Sequence, residues 1–241
     1  MPRPSDPNVS AFAIDSDPPV RGFLHRPAVS ADNAKAGEAL VLTHGAGSNC
    51  QAPLLVAVAG AFAATGVTVL RCDLPYRQKR PHGPPFSGSG AEDREGLKSA
   101  VAAIRRLAPD RPFHRVFLGG HSYGGRQATM VAANDAALVD GLLLLSYPLH
   151  PPRKPDQLRT AHFSSLRTPA LFVHGSRDPF GSVEEMESAL KLIPAPTALI
   201  PVEGAGHDLS FGREERNAAL DLPSKILDAF ERFLGTSLRN R

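Results

Sequence analysis

The sequence predicts an α/β fold, a mostly parallel β-sheet covered by helices on both faces, and three observations carry that reading. Short β-branched runs alternate with longer helical patterns, the signature of successive βαβ units. The short runs are nearly continuous in apolar residues, as strands buried on both faces require. One of them leads through a glycine-rich turn straight into a helical pattern, so strand and helix meet without a loop.

The elements follow in chain order. The N-terminus begins Met1-Pro2-Arg3-Pro4 and lacks the apolar stretch of a secretory signal, so residues 1–10 read as a flexible tail. Ala11–Ile14 and Val20–Leu24 read as an antiparallel hairpin at one sheet edge. The core strands are expected at Ala39–Thr43, Val67–Cys72, Arg115–Leu118, Gly141–Leu145, Ala170–His174 and Thr197–Pro201. Helical patterns separate them at Pro53–Ala64, Ala91–Leu107, Gly124–Ala133 and Ser182–Leu192, with a last one near Leu222–Leu234. In that last segment Ile226, Leu227, Phe230 and Phe233 recur at three- and four-residue steps and form one apolar stripe. Pro75–Gly90, rich in Pro, Gly and Ser, reads as a long loop. The link Ser146–Pro169 has room for one short helix and no lid, so the 241 residues are expected to form one domain.

Composition narrows the function classes. Apolar residues make up 42% of the chain, a globular value. No run reaches the roughly 18 apolar residues of a membrane span, so a soluble, cytoplasmic protein without a membrane partner is the expectation. The net charge of +3 is small, and no nucleic-acid-binding module accompanies it, so nucleic acid is not an expected partner. The two cysteines, Cys50 and Cys72, make neither a disulfide framework nor a metal site, and read as buried structural thiols.

The chemistry is concentrated at the ends of the predicted strands. Gly120-His121-Ser122-Tyr123-Gly124 lies between the strand at Arg115–Leu118 and the following helix. A serine on so tight a turn needs small neighbours two residues either side, and its hydroxyl is pushed above the sheet edge beside a helix N-terminus. A serine hydroxyl becomes a nucleophile only when an oriented base takes its proton. In open α/β sheets such groups gather at the carboxyl ends of strands. Asp178 follows the strand Ala170–His174 and His207 follows Thr197–Pro201, giving the order Ser, Asp, His. Asp140, Asp73, Asp208 and Glu203 are weaker acids for the role by position. His174 reads as a brace for the acid loop and His121 as packing beneath the turn. Two donors for a developing oxyanion are expected from the Tyr123 N–H and from the loop His44-Gly45-Ala46-Gly47, at Ala46 with Gly45 as the alternative.

With these residues in place, the chain resembles the α/β-hydrolase superfamily, and within it the small, lidless, dienelactone-hydrolase-like branch. The resemblance implies a three-layer αβα sandwich with a mostly parallel sheet of about eight strands, no large cap domain and no cofactor or metal. It also implies Ser122, Asp178 and His207 as the catalytic triad of a carboxylesterase-like serine hydrolase. Dienelactone hydrolases proper use a cysteine where this chain has Ser122, so their lactone substrate is not carried over. His44–Asn49, Arg71–Arg77 and the basic loop look like a family of small hydrolases whose animal relatives include a chromatin-complex subunit, which adds an adaptor role as the alternative. The expected partner is a small ester-type molecule, with peptidase, acyltransferase and perhydrolase chemistry open on the same residues and a homodimer left open. Arg77, Lys79, Arg80 and Arg126 suggest an anionic group on that substrate, against the plainer reading of solvated surface cations.

Overall fold

The computed structural model of the protein describes residues 6–27, 37–211 and 216–237. Eight strands form one sheet: β1 (Val9–Ile14), β2 (Val20–His25), β3 (Glu38–Thr43), β4 (Thr68–Cys72), β5 (Arg115–His121), β6 (Gly141–Leu145), β7 (Ala170–Gly175) and β8 (Thr197–Val202). Their order is β1-β2-β4-β3-β5-β6-β7-β8. The β1–β2 and β2–β4 pairs are antiparallel, and every other pair is parallel. The hairpin therefore sits at one edge, as expected.

Six helices accompany the sheet: α1 (Pro53–Ala64), α2 (Pro75–Lys79), α3 (Gly90–Arg105), α4 (Tyr123–Asn134), α5 (Val183–Leu190) and α6 (Arg216–Ser237). Side chains on a strand alternate between faces, so each buried strand feeds two cores. Leu40, Leu42, Leu143 and Leu145 face Leu55, Val58 and Phe62 of α1 and Ile226 and Phe230 of α6. Val41, Leu118, Leu142 and Leu144 face Leu97, Val101 and Ile104 of α3 and Ala128 and Val131 of α4. This is a three-layer sandwich, and the link between β6 and β7 holds only one 3₁₀ turn, Phe163–Ser165. Among the described residues no helix is long and apolar enough to cross a membrane.

Two expectations need correction. Val9 and Ser10 belong to β1, paired with His25 and Leu24, so the expected tail of residues 1–10 is too long; residues 1–5 lie outside the described residues. Pro75–Gly90 is not all loop, because its first five residues form α2. Pro75 occupies the first turn of that helix, where its missing N–H costs nothing and its fixed φ favours the turn. Cys50 and Cys72 are both buried and unbridged, and burial is the main cause that raises each thiol, Cys72 to about 12.

The Phe230 ring is buried between Phe117, 5.1 Å away, and Phe62, 5.7 Å away. Phe230→Ala is expected to cost about 3–5 kcal/mol, read as a lower urea midpoint at unchanged slope.

Candidate active site

Ser122, Asp178 and His207 each follow the carboxyl end of a parallel strand. At the end of β5 the chain reverses into α4 through Ser122, whose φ of 50° is left-handed. That conformation is strained for a residue with a Cβ. Three close approaches hold it. A Cβ on Gly120 would lie 2.8 Å from the backbone of Gly124 and Gly125. One on Gly124 would lie 2.6 Å from the His44 carbonyl, and one on Gly125 2.7 Å from the Gly120 carbonyl. Glycine is thus required where the turn, the sheet and the β3 loop meet.

The Ser122 hydroxyl lies 2.7 Å from His207 Nε2, and His207 Nδ1 lies 2.8 Å from Asp178 Oδ2. The Asp178 side chain is fully shielded from solvent, and its other oxygen accepts the Phe180 N–H at 2.8 Å. The His207 ring is fixed on two sides. Phe180 stacks on it at 4.1 Å between centroids. His121, whose pKa burial lowers, donates from Nε2 to the His207 carbonyl at 2.9 Å. His174 is fully buried and donates to the Gly181 carbonyl at 2.8 Å, tying down the loop that carries Asp178. Glu203 instead accepts from Ser176. Chemically, this chain of groups can take the proton from a serine hydroxyl and hold the resulting imidazolium beside a carboxylate.

The loop after β3 is braced from below. The Gly45 carbonyl accepts from His44 Nδ1 at 2.9 Å and from the Tyr76 hydroxyl at 3.2 Å. The Ala46 carbonyl accepts from the same hydroxyl at 2.8 Å and from Arg77 Nη2 at 3.0 Å. A trans peptide points its C=O and N–H in opposite directions. With the Gly45 carbonyl held inward, the Ala46 N–H is turned the other way. Neither the Ala46 nor the Tyr123 amide has a hydrogen-bond partner among the described residues. Asp93, fully buried at the start of α3, joins the two halves: it accepts the Tyr123 hydroxyl at 2.7 Å and the Tyr76 N–H at 3.1 Å. Sequence reasoning missed Tyr76, Asp93 and Phe180. Tyr76 had a usable signal, since it follows the carboxyl end of β4 closely.

A cleft of about 650 Å³ opens beside Ser122. Gly45, Ala46, His121, Ser122 and His207 form its polar side, and Pro53, Leu54, Leu55 and Phe180 supply an apolar wall. The expected anion contact at Arg77 is not available. Its guanidinium is buried and donates to the carbonyls of Ala46, Ser48, Arg80 and Gly83. Lys79 pairs with Glu92, and Arg80 lies over the Phe86 ring. The basic run is therefore engaged within the protein: Arg77 by carbonyls of its own segment and of the loop after β3, Lys79 by a carboxylate and Arg80 by a ring. Arg126 stands apart from the cleft, on α4.

Comparison with known proteins gives a consistent picture. The alpha/beta hydrolase domain family matches residues 36–235. Est1E from Butyrivibrio proteoclasticus superposes with a TM-score of 0.70, covering 93% of this chain and 99% of its own, at 17% identity. A serine hydrolase without a lid from Xanthomonas campestris gives 0.70 over 97% and 98% at 17% identity. A dienelactone hydrolase from Anabaena variabilis gives 0.69 over 92% and 98% at 21% identity. ABHD14B from Pongo abelii is 36% identical over 75 residues, so this chain spans 34% of that relative's length.

Burial also sets a pH limit on the scaffold. His44 is fully buried, accepts the Leu74 N–H on Nε2, and has its pKa lowered to about 4, mainly by burial. His25 accepts from Arg71 and is likewise lowered to about 4, by burial and then by Arg71. Both rings favour the neutral form in the folded state. Between pH 6.5 and 4 the unfolded chain takes up protons that the folded chain refuses. The stability that these two neutral rings contribute is thus present above pH 6.5 and is lost as pH falls toward 4, at about 1 kcal/mol per pH unit for each ring. Urea unfolding at pH 7, 6 and 5 measures this, and a flat profile would contradict it.

Proposed function

The chain belongs to the alpha/beta hydrolase domain family, and from that premise we propose that it is a serine hydrolase cleaving a small ester or thioester through an acyl-enzyme on Ser122. The observation that carries the reading is the unbroken chain Ser122–His207–Asp178, with links of 2.7 and 2.8 Å, at the mouth of the cleft. His207 accepts the Ser122 proton as Oγ attacks the carbonyl carbon. The negative charge passes to the carbonyl oxygen, toward the Tyr123 and Ala46 N–H groups. As the tetrahedral species collapses, the bond to the leaving group breaks and that group takes the proton from His207. Water then gives a proton to His207, attacks the acyl carbon and releases the acid, returning the proton to Ser122. Asp178 holds Nδ1 protonated throughout and stabilises the imidazolium.

Three features support this assignment of roles. Ser122 is at the N-terminus of α4, where the helix dipole favours developing negative charge. The inward-held Gly45 carbonyl favours Ala46 over Gly45 as the second donor. The cleft volume and apolar wall suit a short acyl or leaving group.

Ser122→Ala is expected to lower kcat on p-nitrophenyl esters by about 10³-fold or more while the thermal transition stays cooperative. A fluorophosphonate probe labels Ser122 in the native chain alone; a native chain left unlabelled would sink the hydrolase reading in favour of an adaptor. Tyr76→Phe removes the hydroxyl that anchors the donor loop, so kcat is expected to fall about tenfold with little change in KM, less than the 10²–10³ for loss of a donor itself. Steady-state kinetics on one short ester reads the split, and an unchanged kcat would refute the bracing role.

A further inference from the structure

Four basic residues outside the lining of the apolar cleft lie near one another. Arg126 is on α4, Arg94 on α3, and Arg159 and His162 are in the β6–β7 link. All four are half-buried. The placement is built rather than accidental. The Arg159 carbonyl accepts the Tyr147 hydroxyl at 2.7 Å, while its own N–H and Nη1 donate to the carbonyls of Leu149 and Pro148. His162 Nε2 lies 2.8 Å from Thr129 Oγ1, and that hydroxyl donates to the Arg126 carbonyl. Arg94 donates to Gln127 Oε1 at 3.1 Å.

Among the described residues no carboxylate pairs with Arg94, Arg126 or Arg159. The acids near this part of α3 are engaged elsewhere: Glu92 with Lys79, Glu95 with Lys98, and Asp93 with Tyr123 and Tyr76. Arg126 Nε is shielded from solvent and has no partner. The groups feel one another, since Arg126 depresses the pKa of both Arg159 and His162, in each case second to burial. Basic groups held near one another without a counter-charge are costly unless an anion joins them.

Position links the cluster to the nucleophile. The Arg126 N–H donates to the Ser122 carbonyl, so the two residues are one helical turn apart, about 6 Å along the axis. Side chains of a helix lean toward its N-terminus, so that of Arg126 leans back toward the Ser122 turn.

We propose that Arg94, Arg126, Arg159 and His162 form a subsite for a carboxylate or phosphate group of the substrate, on the side of the scissile bond opposite the apolar cleft. The proposal rests on the hydrolase reading for the word substrate, but anion binding itself does not need turnover. The preferred molecule is thus lopsided, with a small apolar group on one side of the bond and an anion on the other.

The full chain carrying Ser122→Ala separates the two questions. Succinate and inorganic phosphate at millimolar concentration should each raise its Tm by several degrees over sodium chloride of equal ionic strength, and the larger rise identifies the carboxylate or the phosphate as the better fit. Adding Arg126→Gln, or separately Arg159→Gln, should abolish the rise; each removes a repelling charge, so the fold should persist in at least one. In the chain with Ser122 intact, kcat/KM for mono-p-nitrophenyl succinate relative to p-nitrophenyl butyrate should fall about tenfold in either variant, through KM. Anions indistinguishable from sodium chloride, or equal losses on both esters, would overturn the subsite. Anion binding without turnover of any ester or thioester would uphold the subsite and refute the hydrolase reading.

Discussion

The close approach of the β5–α4 turn to the loop after β3 is the constraint on which the rest of this structure depends. Ser122 can hold its left-handed φ only because Gly120, Gly124 and Gly125 let three backbone segments meet without side chains between them. The same contact sets Ser122 beside Gly45, and both line the cleft together with Ala46 and His207. It would be lost if any of those glycines gained a Cβ, since backbone atoms would lie under 3 Å from it.

Around that contact the buried polar groups are arranged so that few of them carry unpaired charge. His44, His25 and His121 are kept neutral by burial and spend their ring nitrogens on backbone or arginine partners. Asp178 and Asp93 are shielded but accept two hydrogen bonds each. Arg77, a buried cation, is surrounded by carbonyl oxygens rather than by an acid. Satisfied in this way, polar groups in a low-dielectric interior make a rigid frame. The cluster at Arg126 departs from the rule, which is why it stands out as a place for an external anion.

Much of the fold was legible because its signals are local. Apolar runs placed all six core strands within two or three residues, and Pro53–Ala64 matches its helix in the structure. The glycine spacing around Ser122 and the strand ends before Asp178 and His207 pointed to residues that the fold brings into one hydrogen-bonded chain. Pro75–Lys79 was misread because proline marks both a loop and the first turn of a helix, and composition alone does not separate them. Arg77 was misread for a different reason. A cation in a loop looks available until the carbonyls that surround it are known, and Ala46 and Ser48 lie about thirty residues away in sequence.

The sequence by itself determined the α/β class, the order of elements, and the serine, acid and base at successive strand ends, since periodicity and turn chemistry act over a few residues. Only the tertiary structure decided which cations are buried among carbonyls and which lack a carboxylate among the described residues, that Tyr76 and Asp93 connect the two sides of the site, and that Phe180 stacks on His207. Those facts depend on hydrogen-bond partners and ring contacts between segments far apart in the chain, and no local pattern encodes which distant group will face a given side chain.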